Sequence, residues 1–100
     1  MVGKEEIRKY LLSKVSERVD LEALAYRIGL FPPYKGSGVD LINRICSQLS
    51  RRHARVEVIK WINFDIEKGY YNPETGVWYK AGRDEKNYFE ALAVSDGRNN

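Results

Sequence analysis

Residues 19–30, Val-Asp-Leu-Glu-Ala-Leu-Ala-Tyr-Arg-Ile-Gly-Leu, decide the fold because they specify one short helix and both of its ends. Asp20 stands at the position of an N-cap, and Gly29 stands where a left-handed residue ends a helix. Beyond that end, we expect Leu30 and Phe31 to fold back onto the core. Apolar side chains recur on one face of the helix, at Leu21, Leu24 and Ile28.

The composition is typical of one globular domain. One hundred residues support a single hydrophobic core, and we assign residues 1–94 to that domain and residues 95–100 to a frayed tail. Apolar residues make up 43% and charged residues 31%, which argues against global disorder. The net charge of +3 permits a polyanionic partner without requiring one.

The chain lacks the sequence marks of secretion or membrane insertion. The first six residues are charged and lack the apolar run of a signal peptide. No window is apolar over the length needed to span a bilayer. The single cysteine, Cys46, has no internal disulfide partner, which predicts a buried free thiol in a reducing compartment. We therefore expect a cytoplasmic protein that does not contact membranes.

Candidate residues for catalysis or metal binding are scarce. One cysteine and one histidine are too few for a conventional zinc site, and no motif implies a cofactor. Cys46 and His53 would lie about 10 Å apart on one continuous helix, too far for direct proton transfer. We expect a non-enzymatic protein with no metal and no cofactor.

Two further helices follow from apolar spacing. The first is predicted from Glu5 to about Ser16, and its buried stripe is Ile7, Leu11 and Val15, widened by Leu12. Another begins after Ser37, which with Asp40 has the spacing of a capping box, and runs to Arg52 or beyond. The buried stripe of this later helix is Ile42, Ile45, Cys46 and Leu49.

Residues 55–68 fit two alternatives. Val58, Ile59, Ile62 and Ile66 have helical spacing, whereas β-branched and aromatic enrichment favours two short strands. The absence of turn residues favours the helix, which would end at Gly69. A strand over residues 56–66 would support a wing, and a helix would support a bundle.

The aromatic stretch 70–79 predicts a β-hairpin around Asn-Pro-Glu-Thr-Gly. Alternation would turn about half of its aromatic rings toward the core, and Trp61 is expected in the core. The outward rings would stack on bases, cover a partner protein or pair across the hairpin. Residues 85–94 form a short amphipathic piece. Together these elements predict a mainly helical α+β fold, with three or four helices, a helix-turn-helix-like core and a C-terminal β-hairpin.

A basic cluster follows the start of the third predicted helix. Arg44, Arg51 and Arg55 are spaced so that they would share one face of a continuous helix, with Arg52 and His53 nearby. Arginines on such a face pair with phosphates or read guanine edges. The alternative is a solvated helix end whose cations complement the helix dipole.

Residues 5–80 resemble the winged-helix family of DNA-binding domains. The resemblance lies in the ending Leu-Ala-Tyr-Arg-Ile-Gly-Leu of residues 24–30, the longer helix that follows, and the hairpin around residues 73–76. It implies a regulatory protein, a possible homodimer, whose third helix and hairpin wing contact double-stranded DNA. The nucleic-acid-binding residues that it implies are Arg44, Gln48, Arg51 and Arg52, with Lys80 supporting the wing and Arg55 added from the basic cluster.

Residues 7–64 also resemble the death-fold-like effector-associated modules, which are helical bundles that recruit other proteins. The helix over residues 21–30, the link at residues 35–38 and the helical stretch 41–62 follow that layout. This resemblance implies an adaptor that binds a partner protein with an acidic surface. DNA binding is the first expectation from the sequence, and the adaptor is the alternative.

Overall fold

A computed structural model describes residues 2–79 and 88–92. Four helices precede a two-stranded hairpin, and residues 88–92 are also helical. The tail predicted at residues 95–100 and part of the amphipathic piece at residues 85–94 lie outside the described residues. The elements are α1 (Lys4–Ser13), α2 (Arg18–Arg27), α3 (Gly38–Ser47), α4 (Arg52–Glu67), β1 (Tyr71–Asn72) and β2 (Val77–Trp78).

The end of α2 agrees with the prediction, but its start does not. Gly29 has a φ of 96°, and the N–H of Leu30 donates to the carbonyl of Ala25 at 2.9 Å, as in a Schellman motif. The helix begins at Arg18 with Glu17 as N-cap, so the prediction that Asp20 is the N-cap is wrong. Because the helix starts two residues earlier, Asp20 lies in its first turn, where its buried carboxylate contacts Lys14.

The buried face of α1 differs from the predicted stripe. Ile7, Leu11 and Tyr10 are buried, and Lys14 is buried one turn after Tyr10. The predicted members Leu12 and Val15 are exposed, because the helix ends at Ser13 and presents the Tyr10–Lys14 side to the core. The prediction that this helix continues to about Ser16 is also wrong.

The third predicted helix is divided into two helices. The capping box of Ser37 and Asp40 is confirmed, with both reciprocal hydrogen bonds present at 2.8 and 3.2 Å. α3 ends at Ser47, however, and Arg51 is extended, with φ −84° and ψ 130°. Ile42, Ile45 and Leu49 are buried as expected, whereas Cys46 is a half-buried free thiol.

The ambiguous stretch is helical from residue 55 to residue 67. α4 includes residues 56–66, so the helix alternative is confirmed and the two-strand alternative is wrong. Gly69, with a φ of 79°, ends the helix as predicted. The N–H of Tyr70 then donates to the carbonyl of Asp65 at 2.8 Å, a second Schellman bond.

The predicted hairpin is present. Tyr71 pairs with Trp78 and Asn72 with Val77 in antiparallel register. Asn72 Oδ1 accepts from the N–H of Glu74 at 2.9 Å, and Gly76 has a φ of 73°, as a tight turn requires. The hairpin is tied to α1, since Lys9 Nζ donates to the carbonyl of Pro73 at 2.9 Å.

The elements pack as a helical bundle with the hairpin at one side. α3 packs on α1 and α2, and α4 packs on α1, α2 and β1. Trp61 of α4 is buried in the shared core, as predicted. The mainly helical α+β fold is therefore confirmed. In the part of the chain that the structure describes, no helix has the length and apolar character needed to cross a membrane.

Candidate nucleic-acid interface

The predicted binding residues meet where α3 gives way to α4. We call Arg44, Gln48, Arg51 and Arg52 the basic corner. Its three arginines are exposed, and Gln48 is half-buried one turn after Arg44. Arg51 Nη1 donates to Gln48 Oε1 at 3.1 Å, which joins the start of α4 to the end of α3.

Arg55 belongs to the same region, but its guanidinium contacts backbone carbonyls of the protein. Its Nη1 donates to the carbonyl of Leu49 at 2.9 Å and lies 3.5 Å from that of Ser50. These carbonyls belong to the turn after α3. The prediction that Arg44, Arg51 and Arg55 share one helical face is therefore wrong. Arg44 lies on α3, whereas Arg51 and Arg55 belong to the start of α4, and the Arg55 guanidinium binds the turn between the two helices.

The start of α4 has an unusual charge for a helix N-terminus. Arg51 is the N-cap, no side chain caps the first turn, and the first turn has no acidic residue. The first N–H groups of a helix lack partners within the helix and carry a partial positive charge. At the start of α3, by contrast, Asp40 supplies a negative charge. The arginines at the start of α4 therefore add to the positive potential of the helix, which favours an anion.

The end of α2 lies beside the basic corner. His53 Nε2 is 3.1 Å from the carbonyl oxygen of Arg27, and a Cβ built on Gly29 would lie 3.6 Å from Arg51 Nη1. The nearest acid along α4, Glu57, is turned toward the other end of the helix. It accepts from Trp61 Nε1 at 2.9 Å and pairs with Lys60 at 3.3 Å.

Arg8 of α1 extends the basic surface, and sequence reasoning missed it. Its Nη1 donates to Asn43 Oδ1 at 2.8 Å, which places the guanidinium against the residue before Arg44. The two residues are 35 positions apart. No local pattern signals this contact, since only the packing of α1 on α3 creates it.

The aromatic hairpin lies away from the basic corner. It follows the C-terminal end of α4, and this helix of 16 residues spans about 24 Å. Tyr71 is buried, Tyr70 and Trp78 are half-buried, and Tyr79 is 46% exposed. Most of the hairpin's aromatic surface therefore covers the core. Lys80, the residue expected to support the wing, lies outside the described residues.

A buried polar cluster lies under the hairpin, and sequence reasoning missed it as well. Lys14 Nζ contacts Asp20 Oδ2 at 2.6 Å, the Tyr88 hydroxyl at 3.1 Å and Asp65 Oδ2 at 3.4 Å. The same Asp65 oxygen accepts from the hydroxyls of Tyr10 and Tyr88. Four rings surround the ammonium group at 4.7–5.4 Å from their centroids, those of Tyr10, Trp61, Trp78 and Tyr88.

The buried polar cluster has the character of a structural site. Burial raises the pKa of the Tyr10 and Tyr88 hydroxyls, and the neighbouring Asp65 carboxylate raises it further. Among the described residues, the space beside Lys14 is too small for a water molecule and therefore for a substrate. The sequence carries one signal for this cluster, which is that each charged residue continues an apolar helical stripe. Lys14 continues the stripe of Ile7, Tyr10 and Leu11, and Asp65 continues that of Val58, Trp61 and Ile62.

The structure identifies no metal centre in residues 2–79 and 88–92, where no group of three or more His, Cys, Asp or Glu side chains could hold an ion. No protein-family model, curated protein or solved structure matches the chain. The resemblances to the winged-helix family and to the death-fold-like modules therefore stay predictions.

Proposed function

We propose that this chain is a non-enzymatic, regulatory DNA-binding protein of the cytoplasm that contacts the phosphate backbone of duplex DNA through the basic corner. The observation that carries the proposal is the N-terminus of α4, where Arg51 and Arg52 adjoin uncapped N–H groups and no acidic residue is present in the first turn. Backbone N–H groups at a helix start and arginine guanidinium groups are both donors to phosphate oxygens.

The shape of the basic corner favours backbone contact over reading of base edges. The arginines are divided between the end of α3 and the start of α4, and Arg8 extends the row along α1. Phosphate contacts fix a protein on the duplex and carry little sequence information. The hairpin contributes less than a wing would, because Tyr79 is its only strongly exposed aromatic residue among those described.

The test is the salt dependence of binding to a labelled duplex, measured by fluorescence anisotropy. The wild-type affinity should fall steeply as salt rises, because phosphate contacts release counterions. The double variant Arg51→Ala, Arg52→Ala should bind more weakly to every duplex. It should also lower the slope of log affinity against log salt by about 2, because each neutralised phosphate accounts for about 0.9 of that slope.

A charge-matched control separates local contact from net charge. Lys4→Ala with Lys68→Ala removes the same two charges from exposed positions at the start of α1 and the far end of α4. This control should keep most of the wild-type slope. Equal losses in both double variants, or no binding at low salt, would contradict the proposal.

The second candidate is an adaptor that binds an acidic protein surface, and the continuous α4 favours it. A helix over residues 56–66 extends the bundle where a winged-helix domain would have a strand. The same arginines would then pair with carboxylates. A glutamate-rich peptide that binds the basic corner more tightly than DNA at equal salt would support the adaptor over the DNA-binding function.

A further inference from the structure

An exposed pair of aromatic rings lies at the end of α2. Tyr26 is 59% exposed and Phe31 is 62% exposed, although Phe31 was expected to fold back onto the core. Their ring centroids are 5.3 Å apart and their planes are inclined by 79°, so the two rings pack edge to face. Leu30, between them in sequence, does pack against the core. The turn at Gly29 thus places the half-buried Leu30 against the core and leaves Phe31 exposed to solvent.

This aromatic pair adjoins the basic corner. Gly29 lies beside the Arg51 guanidinium. Phe31 follows two residues later, so its Cα lies within about 7 Å of the Gly29 Cα. His53 contacts the carbonyl of Arg27, the residue directly after Tyr26. The pair and the corner are therefore adjacent, with the exposed Arg51 beside the turn that carries Phe31.

We propose that Tyr26 and Phe31 stack on unpaired bases, so that the preferred ligand is duplex DNA with a single-stranded extension. The inference rests on the proposed function, because the basic corner holds the phosphates of the duplex part. Flat aromatic side chains beside cations are the usual platform for single-stranded nucleic acid, since every base offers a ring face. Bases inside a blunt duplex are stacked on each other and leave the rings unoccupied.

A second copy of the chain fits this surface less well. A stable dimer buries about 800 Å² on each partner. The exposed apolar surface here comprises the two rings, Pro32 and Pro33 directly after Phe31, and Val19 two turns before Tyr26 on α2. These are few residues beside the roughly 20–30 that each side of such an interface contributes. The exposed Arg51 beside this surface complements the phosphates of a single strand, which a second copy of the chain does not offer.

The experiment compares two labelled ligands, a blunt duplex and the same duplex with a single-stranded extension of about ten nucleotides. The wild-type protein should bind the extended duplex about tenfold more tightly. Tyr26→Ala with Phe31→Ala should remove this preference and leave binding of the blunt duplex unchanged. Phe31→Trp should keep the preference, and its exposed indole fluorescence should be quenched by the bases.

Two controls accompany the test. Tyr79→Ala removes a comparably exposed ring from the hairpin and should leave the preference intact. Arg51→Ala with Arg52→Ala should weaken the binding of both ligands. Near-ultraviolet circular dichroism checks that each variant retains the native core.

The results that would contradict this inference can be told apart from those that would contradict the proposed function. Equal affinity of the wild type for both ligands, or a preference that survives loss of both rings, overturns the inference and leaves the proposed function standing. No binding of either ligand overturns both. A dimer in sedimentation velocity that dissociates in the Tyr26→Ala, Phe31→Ala variant assigns the surface to a second copy and also overturns the inference.

Discussion

Lys14 is a charged residue at a position where the spacing of the buried side chains of α1 predicts an apolar one. Its side chain is buried, and the ammonium group is balanced by the carboxylates of Asp20 and Asp65 and by the faces of four aromatic rings. Desolvating such a group is costly, and the partners offset that cost only while all of them remain in place. Loss of any one partner is therefore expected to destabilise the folded protein.

We predict that Lys14→Met lowers the free energy of unfolding by about 3–5 kcal/mol, because it leaves buried carboxylates without their cation. Urea denaturation followed by circular dichroism measures the change. Lys4→Met, at an exposed position, is the control and should alter stability little. The double variant Lys14→Met, Asp20→Asn should recover part of the loss, and a loss below about 1 kcal/mol in the single variant would contradict a structural role for this lysine.

At the scale of elements, helix ends decide the architecture more than helix interiors do. Local hydrogen bonds cap α3 at Ser37, and Schellman motifs end α2 and α4 at Gly29 and Gly69. The division between α3 and α4, by contrast, depends on tertiary contacts rather than on a local capping motif. It depends on the Arg55 guanidinium binding the carbonyls of Leu49 and Ser50, and on the burial of Leu49 in the core.

The capping box of α3 predicts a loss of stability in acid. The backbone N–H of Ser37, and then its hydroxyl, lower the pKa of Asp40 from its ordinary value of 3.8. Because the folded state has the lower pKa, the Asp40 contribution is complete above about pH 4 and is lost as the pH falls through the folded-state pKa.

We therefore expect Asp40→Asn to lower the urea midpoint at pH 7, and the difference from wild type to shrink steadily below pH 3.8. Urea titrations across this range measure both values. Glu74→Gln, at an exposed acid in the hairpin turn, is the charge-matched control and should leave the urea midpoint at pH 7 close to that of the wild type. A constant difference at all pH values would mean that the Asp40 charge does not stabilise the helix.

Across the whole molecule, the buried polar cluster joins segments that are distant in sequence. Tyr10 of α1, Asp65 of α4 and Tyr88 of the helical segment 88–92 share one carboxylate oxygen. Tyr88 also packs against Trp61, Phe64 and Tyr70. The helical segment is thereby attached to the bundle core, so we expect it to unfold together with the core.

This connection predicts the behaviour of the protein in alkali. Burial, with Asp65 nearby, raises the folded-state pKa of Tyr10 and Tyr88 above the ordinary value of 10.0. Their contribution to stability is complete below pH 10 and is lost as the pH rises above it, since the unfolded chain then releases protons more readily. We expect these two tyrosines to ionise only when the protein unfolds.

Tyrosinate absorbance and helical circular dichroism, recorded together during an alkaline titration, measure this behaviour. Tyr10→Phe should reduce by one the number of tyrosines that ionise in the unfolding step. Ionisation of all seven tyrosines while the helical signal remains native would contradict the connection between the cluster and the global fold.

The sequence by itself determined the features that depend on neighbouring residues. The Gly29 end of α2, the Ser37–Asp40 capping box and the turn between Asn72 and Gly76 all follow from side chains a few positions apart. Their backbone angles and hydrogen bonds are local, so residue type and spacing are sufficient to predict them. The mainly helical fold with a hairpin followed from these local signals.

Only the tertiary structure decided which side chains meet across the bundle. Arg8 reaches Asn43 over 35 positions, and Lys14 reaches Tyr88 over 74 positions. The exposure of Phe31 beside the basic corner depends likewise on how α2 lies against the start of α4. Such contacts follow from the packing of whole helices, because a charged side chain is buried only where distant elements supply its partners, and no local pattern specifies those partners.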